Sequence, residues 1–211
     1  MKSPRSGKRA GPRQRRITKR HVKKQETRER ILQAAAAIAR REGLQAASIP
    51  RVMRAVGLTV GGFYGHFASK SALDAEVIRT VIGAIPGRSL AGLQDVSGLR
   101  WIERATTRYL TAVHRDNPDG CSYPSILSGI ATGSTETKAA FAAALELRVK
   151  AFEAHMPALP GVTARERSLA LMALTIGGLL LARASATAAI SGEVLSACQK
   201  WALPELDARR T

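Results

Sequence analysis

The chain has 211 residues, with 33 Lys and Arg against 16 Asp and Glu, a formal net charge of +17, and aromatic residues at only 4%. That length supports one large or two small helical domains with a proper core, and an alanine- and leucine-rich, aromatic-poor composition favours helix over sheet. Two distant cysteines, Cys121 and Cys198, with no CxxC pair and no histidine at metal spacing, argue against a disulfide framework and a metal site, and fit a reducing cytoplasm.

The charge is unevenly spread. Residues 1–26 carry 11 basic residues and one acid, net +10; residues 27–70 carry seven and two, net +5; residues 71–211 carry 15 and 13, net +2. A basic front on a nearly neutral body points to an anionic polymer met at one end. An anionic membrane surface is the rival, but it usually wants an amphipathic helix with exposed apolar residues.

Residues 1–24 mix Lys, Arg, Gly, Pro and Ser with few apolar residues, and read as a disordered basic arm. Such an arm lies along phosphates or in a minor groove, or acts only as a solubilising tail. No apolar core follows the basic start, so no secretory signal is expected. A first helix is predicted over residues 27–42, capped by Thr27 and ended by Gly43, with Ile31, Leu32, Ala35, Ile38 and Ala39 as its apolar stripe.

Residues 48–70, SIPRVMRAVGLTVGGFYGHFASK, hold two short helical patterns broken by a turn. Ser48 is placed to cap the first, with Pro50 in the first turn and Ile49, Val52, Met53 and Val56 on one face. Gly57 supplies the turn, and Thr59 is placed to cap a second helix over residues 60–64. Gly61 and Gly62 each cost roughly 1 kcal/mol against alanine in a helix, which makes sense where the backbone must approach something closely. In a helix-turn-helix the N-terminal end of the second helix enters the major groove. Thr59, Val60 and Gly61 would then approach bases, Phe63 and Phe67 would face the core, and Ser48, Tyr64, His66 and Lys70 would hold phosphates. The alternative is a glycine-rich helix and loop in an ordinary bundle.

Residues 27–73 resemble the N-terminal DNA-binding domain of TetR-family transcriptional regulators. The matching residues are Thr27, Ile31, Leu32, Ala35, Gly43, Ser48, Ile49, Val52, Gly57, Leu58, Gly61, Phe63, Tyr64, His66, Phe67, Lys70 and Leu73, with a G-hydrophobic-T-x-G-x-F-Y-x-H-F-x-x-K core. Pro50 and Met53 depart from the family's usual charged and alanine residues. The resemblance implies an all-α fold: a three-helix DNA-binding unit over residues 25–85, with its motif at about 48–67, and a larger helical ligand-binding and dimerisation domain over 86–211. It also implies a homodimer.

Ser69 is placed to cap the next helix, whose apolar face is Leu73, Val77, Val81 and Ile82 and which Pro86 stops. Residues 85–98 read as an irregular linker. A helix is predicted over residues 99–117, with Ile102, Ala105, Tyr109, Leu110 and Val113 on one side, then a turn at Pro118-Asp119-Gly120. A short helix over 123–132 and a long one over 135–156 follow, the latter with Phe141, Leu145, Val149 and Phe152 inward. The helix over 163–189 is apolar nearly all round, so it must be buried on more than one side. Its longest uncharged run, between Arg167 and Arg183, is 15 residues, too short to span a bilayer. A last helix covers 191–202 after a turn at Ser191-Gly192. In the family the last two long helices form a four-helix dimer bundle, where Gly177-Gly178 would allow close approach.

His114, Asp116, Asp119 and Cys121 cluster in sequence, but they straddle a helix end and a turn at no ligand spacing, so no catalytic site is expected. Cys121 reads as a small buried side chain or as a redox sensor. No phosphate-binding P-loop or GxGxxG is present. The resemblance implies an effector pocket between the helices of residues 99–182, with Trp101, Tyr109, Tyr123, Ile126, Phe141, Leu145, Met172 and Ile176 as candidate lining. Few charges fall on the inward stripes, so a largely apolar, uncharged small molecule is expected. The sequence thus points to a cytoplasmic, ligand-responsive repressor that binds a palindromic operator on double-stranded DNA, with no cofactor and no membrane partner. A nonspecific basic nucleic-acid-binding or architectural protein is the alternative, distinguished by steep salt dependence and indifference to sequence.

Overall fold

The computed structural model describes residues 12–83, 90–117 and 121–202, with side chains from Arg20 onward. The first 11 residues of the basic arm, Pro86 and the turn at residues 118–120 lie outside the described residues. The helices are α1 (Pro12–Glu42), α2 (Ile49–Ala55), a 3₁₀ helix (Val60–Gly65), α3 (Lys70–Gly83), α4 (Gly98–Tyr109), α5 (Ala112–Asp116), α6 (Tyr123–Ala131), α7 (Thr135–Glu153), α8 (Ala164–Ala184) and α9 (Ile190–Ala202). An isolated antiparallel bridge between Leu159 and Val162 is the sole β pairing among the described residues. The protein is all-α.

The first helix is twice as long as the sequence suggests. It begins at Pro12, so residues 12–24 are helical rather than an unstructured arm, and Thr27 lies inside the helix instead of capping it. Its hydroxyl donates back to the Lys23 carbonyl at 2.9 Å. The reason is cooperative: buried Ile31, Leu32, Ala35, Ala36 and Ala39 anchor the C-terminal half, and Arg, Lys and Gln propagate an existing helix at little cost. Gly43 ends it at φ +92.

The predicted helix over 99–117 breaks in two at Leu110, whose backbone sits at φ −91, ψ 60. Thr111 restarts the chain as α5, its hydroxyl accepting from the His114 amide at 3.1 Å. The break turns Val113 outward, 81% exposed, whereas Ile102, Ala105, Tyr109 and Leu110 stay buried as expected. The turn expected at Ser191-Gly192 is also displaced: residue 191 already lies in α9, and its hydroxyl donates to the Ala182 carbonyl at 2.7 Å.

One core runs from the helix-turn-helix into the C-terminal helices, joining Ile31, Met53, Phe63, Phe67 and Ile78 to Tyr123, Ile126, Leu179 and Leu195. A second, smaller cluster gathers Leu93, Trp101, Ile102, Phe152, Met156 and Leu171. A capping box between Thr163 and Glu166 starts α8. By length and composition this 21-residue helix is long and apolar enough to cross a membrane, and 39% of its apolar window is buried. The 15-residue uncharged run understated it, since the helix continues past the arginines at both ends. Its Gly178 packs so tightly on α9 that a Cβ there would lie 2.5 Å from Cys198 Sγ, while Gly177 faces open space.

Candidate functional site

The helix-turn-helix is assembled from apolar burial and three arginines. Gly57 turns the chain at φ +72, its amide donating to Arg54 and the Leu58 amide to Met53 at 2.9 Å. Arg30 of α1 reaches across to the Val56 carbonyl at 2.9 Å. Arg51 of α2 forms a two-pronged ion pair with Glu42. Arg28 pairs with Glu76 of α3 and lies 4.5 Å over the Phe67 ring.

The second helix of the motif is a 3₁₀ helix of six residues rather than an α-helix. Short, glycine-rich segments take this form because they lack the length for a stable α-helix. Phe63 and Phe67 point inward as expected, 0% and 3% exposed, with ring centroids 5.6 Å apart. Burying each contributes roughly 1.5–3 kcal/mol, enough to hold so short an element. The opposite side is bare: Thr59 and Gly61 are exposed, with Val60 at 46% and Tyr64 at 64%. In a 3₁₀ helix residues three apart eclipse, so Gly61 and Tyr64 share one ridge. A Cβ on Gly61 would meet nothing within 4 Å, so no part of this chain requires glycine there.

Ser48 and Thr59 occupy the N-cap positions, but neither hydroxyl caps its helix. Ser69 does cap α3, accepting from the Ala72 amide at 3.0 Å. His66 is half-buried, and its Nδ1 has no hydrogen-bond partner. Lys70 is paired with Asp74 one turn on. Burial pushes the Asp74 carboxyl above its ordinary value, and the Lys70 ammonium offsets that only in part. Ser48 thus precedes α2, Thr59, Val60, Gly61 and Tyr64 start and form the 3₁₀ helix, His66 follows it and Lys70 opens α3.

The expected effector residues do not all meet. Tyr109, Tyr123, Ile126, Phe141 and Ile176 pack in or against the main core. Trp101 belongs to the smaller cluster, edge-on to Phe152 at 5.1 Å and stacked on His155 at 4.3 Å. Met172 is buried and Leu145 half-buried.

The expectation of few inward charges fails at Arg148. It follows from Leu145 by one turn and precedes Phe152 by another, so it shares their face and is only 6% exposed. Its Cζ lies 5.8 Å from the Tyr109 ring centroid and 5.6 Å from those of Tyr123 and Phe152. Arg148 Nη1, the Tyr123 hydroxyl and Thr106 Oγ1 are buried without hydrogen-bond partners. The Tyr109 hydroxyl meets Cys121 Sγ at 2.8 Å. Burial pushes both of these groups, and Tyr123, above their ordinary pKa values. Sequence spacing held the signal for Arg148, since it sits seven residues after Phe141 on the same helix.

Arg183 of α8 organises the neighbouring loop. It donates to the carbonyls of Arg115 and Cys121 at 3.0 Å and of His114 and Asn117 at 3.1 Å. His114 Nδ1 meets the Tyr109 carbonyl at 2.8 Å. Burial holds its imidazole below the usual value, with Arg183 and Arg148 adding to the effect. Asp116 turns outward to Arg115, whereas His114 and Cys121 both lie against Tyr109; Asp119 is outside the described residues. Cys121 is buried against Tyr109. Among the described residues no group of three or more His, Cys, Asp and Glu side chains is arranged to hold a metal.

Residues 31–77 match the model of the bacterial regulatory proteins of the tetR family. No curated protein matches the chain. Solved structures match over most of its length. A TetR-family transcriptional regulator from Agrobacterium tumefaciens is 21% identical with a TM-score of 0.67, over 84% of this chain and 97% of that one. A TetR-family regulator from Cytophaga hutchinsonii is 19% identical with a TM-score of 0.67, over 84% and 94%. A transcriptional regulator from Saccharomonospora viridis, solved in complex with choline, is 15% identical with a TM-score of 0.67, over 86% and 97%. Residues 31–77 thus carry a helix-turn-helix domain of the tetR type, and the all-α fold around them is the fold of these solved regulators.

Proposed function

We propose that the protein is a cytoplasmic, homodimeric repressor that holds a two-fold symmetric operator and releases it when a small molecule binds the C-terminal helices. The observation that carries the DNA-reading role is the exposed surface of Thr59, Val60, Gly61 and Tyr64 on a short helix anchored by buried Phe63 and Phe67. Thr59, Val60 and Gly61 approach base edges, and Gly61 lets the backbone come close where a side chain would intervene. Ser48, Tyr64 and His66 take phosphates, as does Lys70 once a phosphate oxygen competes for its ammonium against Asp74. Lys23 and Lys24 are exposed on α1 about one turn before Arg28, and add positive charge next to the motif in sequence.

The dimer reading is supported by α8 and α9, which leave Leu169, Leu180, Leu181, Ile190 and Trp201 exposed. A partner's equivalent pair would cover them. A small-molecule effector agrees with the choline bound by the Saccharomonospora viridis protein. Release follows if the effector binds better to a conformer whose reading heads are wrongly spaced. No group in the chain is assigned a catalytic role, and no cofactor is invoked.

The test is selection of bound DNA from a random pool at two salt concentrations, with the full chain and with residues 1–24 removed. A symmetric site that survives removal of the arm supports the proposal. Binding without an enriched site, lost at higher salt, would instead favour a nonspecific architectural protein, the reading that the net charge of +17 keeps alive.

A further inference from the structure

We infer that the effector is an organic acid with an apolar or aromatic body, its carboxylate received by the buried guanidinium of Arg148 and the hydroxyl of Tyr123. The word effector rests on the regulator reading above, whereas the anion site stands on the buried cluster itself.

A guanidinium removed from water needs acceptors or a counter-charge. Arg148 is 6% exposed, its Nη1 meets no acceptor, and no ion pair found among the described residues includes it. The three rings around it, at 5.6 to 5.8 Å, stand near the outer limit of cation–π attraction at about 6 Å, so they compensate only in part. The three carboxylates on its own helix look elsewhere: Glu146 and Glu153 pair with Arg165 on the outside, and Glu136 is exposed in the first turn. The nearby second cation, Arg183, is surrounded by carbonyl oxygens and adds positive potential rather than removing it. The Tyr123 hydroxyl is a second donor with no partner on a residue that is fully buried. Among the described residues no ion pair brings a carboxylate to either donor, and two such donors complement a carboxylate, which accepts from a guanidinium and a phenol together. Tyr109, Phe141 and Phe152 surround this polar centre with aromatic surface, which suits an acid with an apolar body over a small hydrophilic anion.

The test titrates the full-length protein by calorimetry with phenylacetate, 4-phenylbutyrate and octanoate, each beside its uncharged primary amide. Hydrogen bonds to charged groups contribute enough that the acids should bind at least about tenfold tighter than the amides. Arg148→Met should abolish that preference, and Tyr123→Phe should reduce it by about threefold or more. Arg148→Lys, which keeps the charge, should retain it in part, so the comparison stands even if the methionine variant folds poorly. Amides that bind as well as acids, a preference that survives Arg148→Met, or no acid binding up to about 10 mM would each overturn the inference. Acid binding in a protein that selects no operator would sustain the anion site and remove only its role as effector site. A selected operator without acid preference would remove the anion site alone.

Discussion

The Ser125 hydroxyl of α6 donates to the Arg40 carbonyl of α1 at 2.7 Å. It thereby satisfies one of the carbonyls that a helix leaves unpaired in its last turn, from a helix 85 residues away. The same junction is closed by glycines: a Cβ at Gly43 would lie 2.8 Å from the Ser125 carbonyl oxygen, and one at Gly129 would lie 3.1 Å from Leu44 Cβ. The C-terminal helices therefore touch the base of the DNA-reading unit through backbone, with little room for slippage.

Gly43→Ala should be costly for two reasons. Alanine at φ +92 pays the left-handed penalty, and its methyl meets backbone that cannot rotate away. Together these predict a loss of about 2–4 kcal/mol in urea unfolding. Gly57→Ala, at φ +72 in open space, should lose only about 1–2 kcal/mol. Equal losses at the two positions would show that the α1–α6 contact is looser than the geometry requires.

Gly61→Ala separates folding from recognition. Open space around the position and the ordinary backbone gain of alanine predict a protein as stable as the parent or more stable by up to about 1 kcal/mol. Operator affinity should fall by about tenfold, because the added methyl stands where a base edge must approach. Unchanged affinity for the selected operator would move the reading surface away from this ridge.

Acid should loosen the cluster around Tyr109. The folded-state pKa of His114 lies below its ordinary value of 6.5, chiefly because it is buried. Its contribution to stability is therefore present above that value and lost as pH falls through the lower folded one. The melting temperature should decline as pH drops below about 6.5, and the decline should be shallower in His114→Gln. Parallel pH profiles for the two proteins would assign the acid sensitivity to another group.

Leu181 is 61% exposed on α8 beside Leu180 at 43%. If a partner covers this face, Leu181→Glu buries a carboxylate without a counter-ion and should weaken the dimer by at least about tenfold. Sedimentation should then report monomers at concentrations where the parent is dimeric, with helicity by circular dichroism unchanged. A dimer of undiminished affinity would place the interface elsewhere.

Much of the DNA-reading unit was legible before any coordinates. Gly57, the 3–4-residue spacing of Val52, Met53 and Val56, and the Phe63, Phe67 pair follow from local steric rules and from which side chains must leave water, so they were readable from neighbours in sequence. The start of α1 was not, because composition describes the arm as an isolated chain, whereas a tertiary anchor at Ile31 to Ala39 lets the helix propagate backwards. The break at Leu110 was equally hidden: the periodicity continues through it, and only contacts with distant elements, such as Gln199 Nε2 donating to the Leu110 carbonyl at 2.6 Å, compensate the lost helical bond.

The sequence by itself determined the helical class, the helix-turn-helix and the inward aromatics, since each depends on interactions within a few residues. The tertiary structure decided which polar groups are stranded. Whether Arg148 reaches solvent, and whether Tyr123 finds a partner, depends on what α4, α6 and α8 bring against them from far along the chain. Burial is a property of the assembled helices, and desolvation turns an ordinary arginine into a binding site.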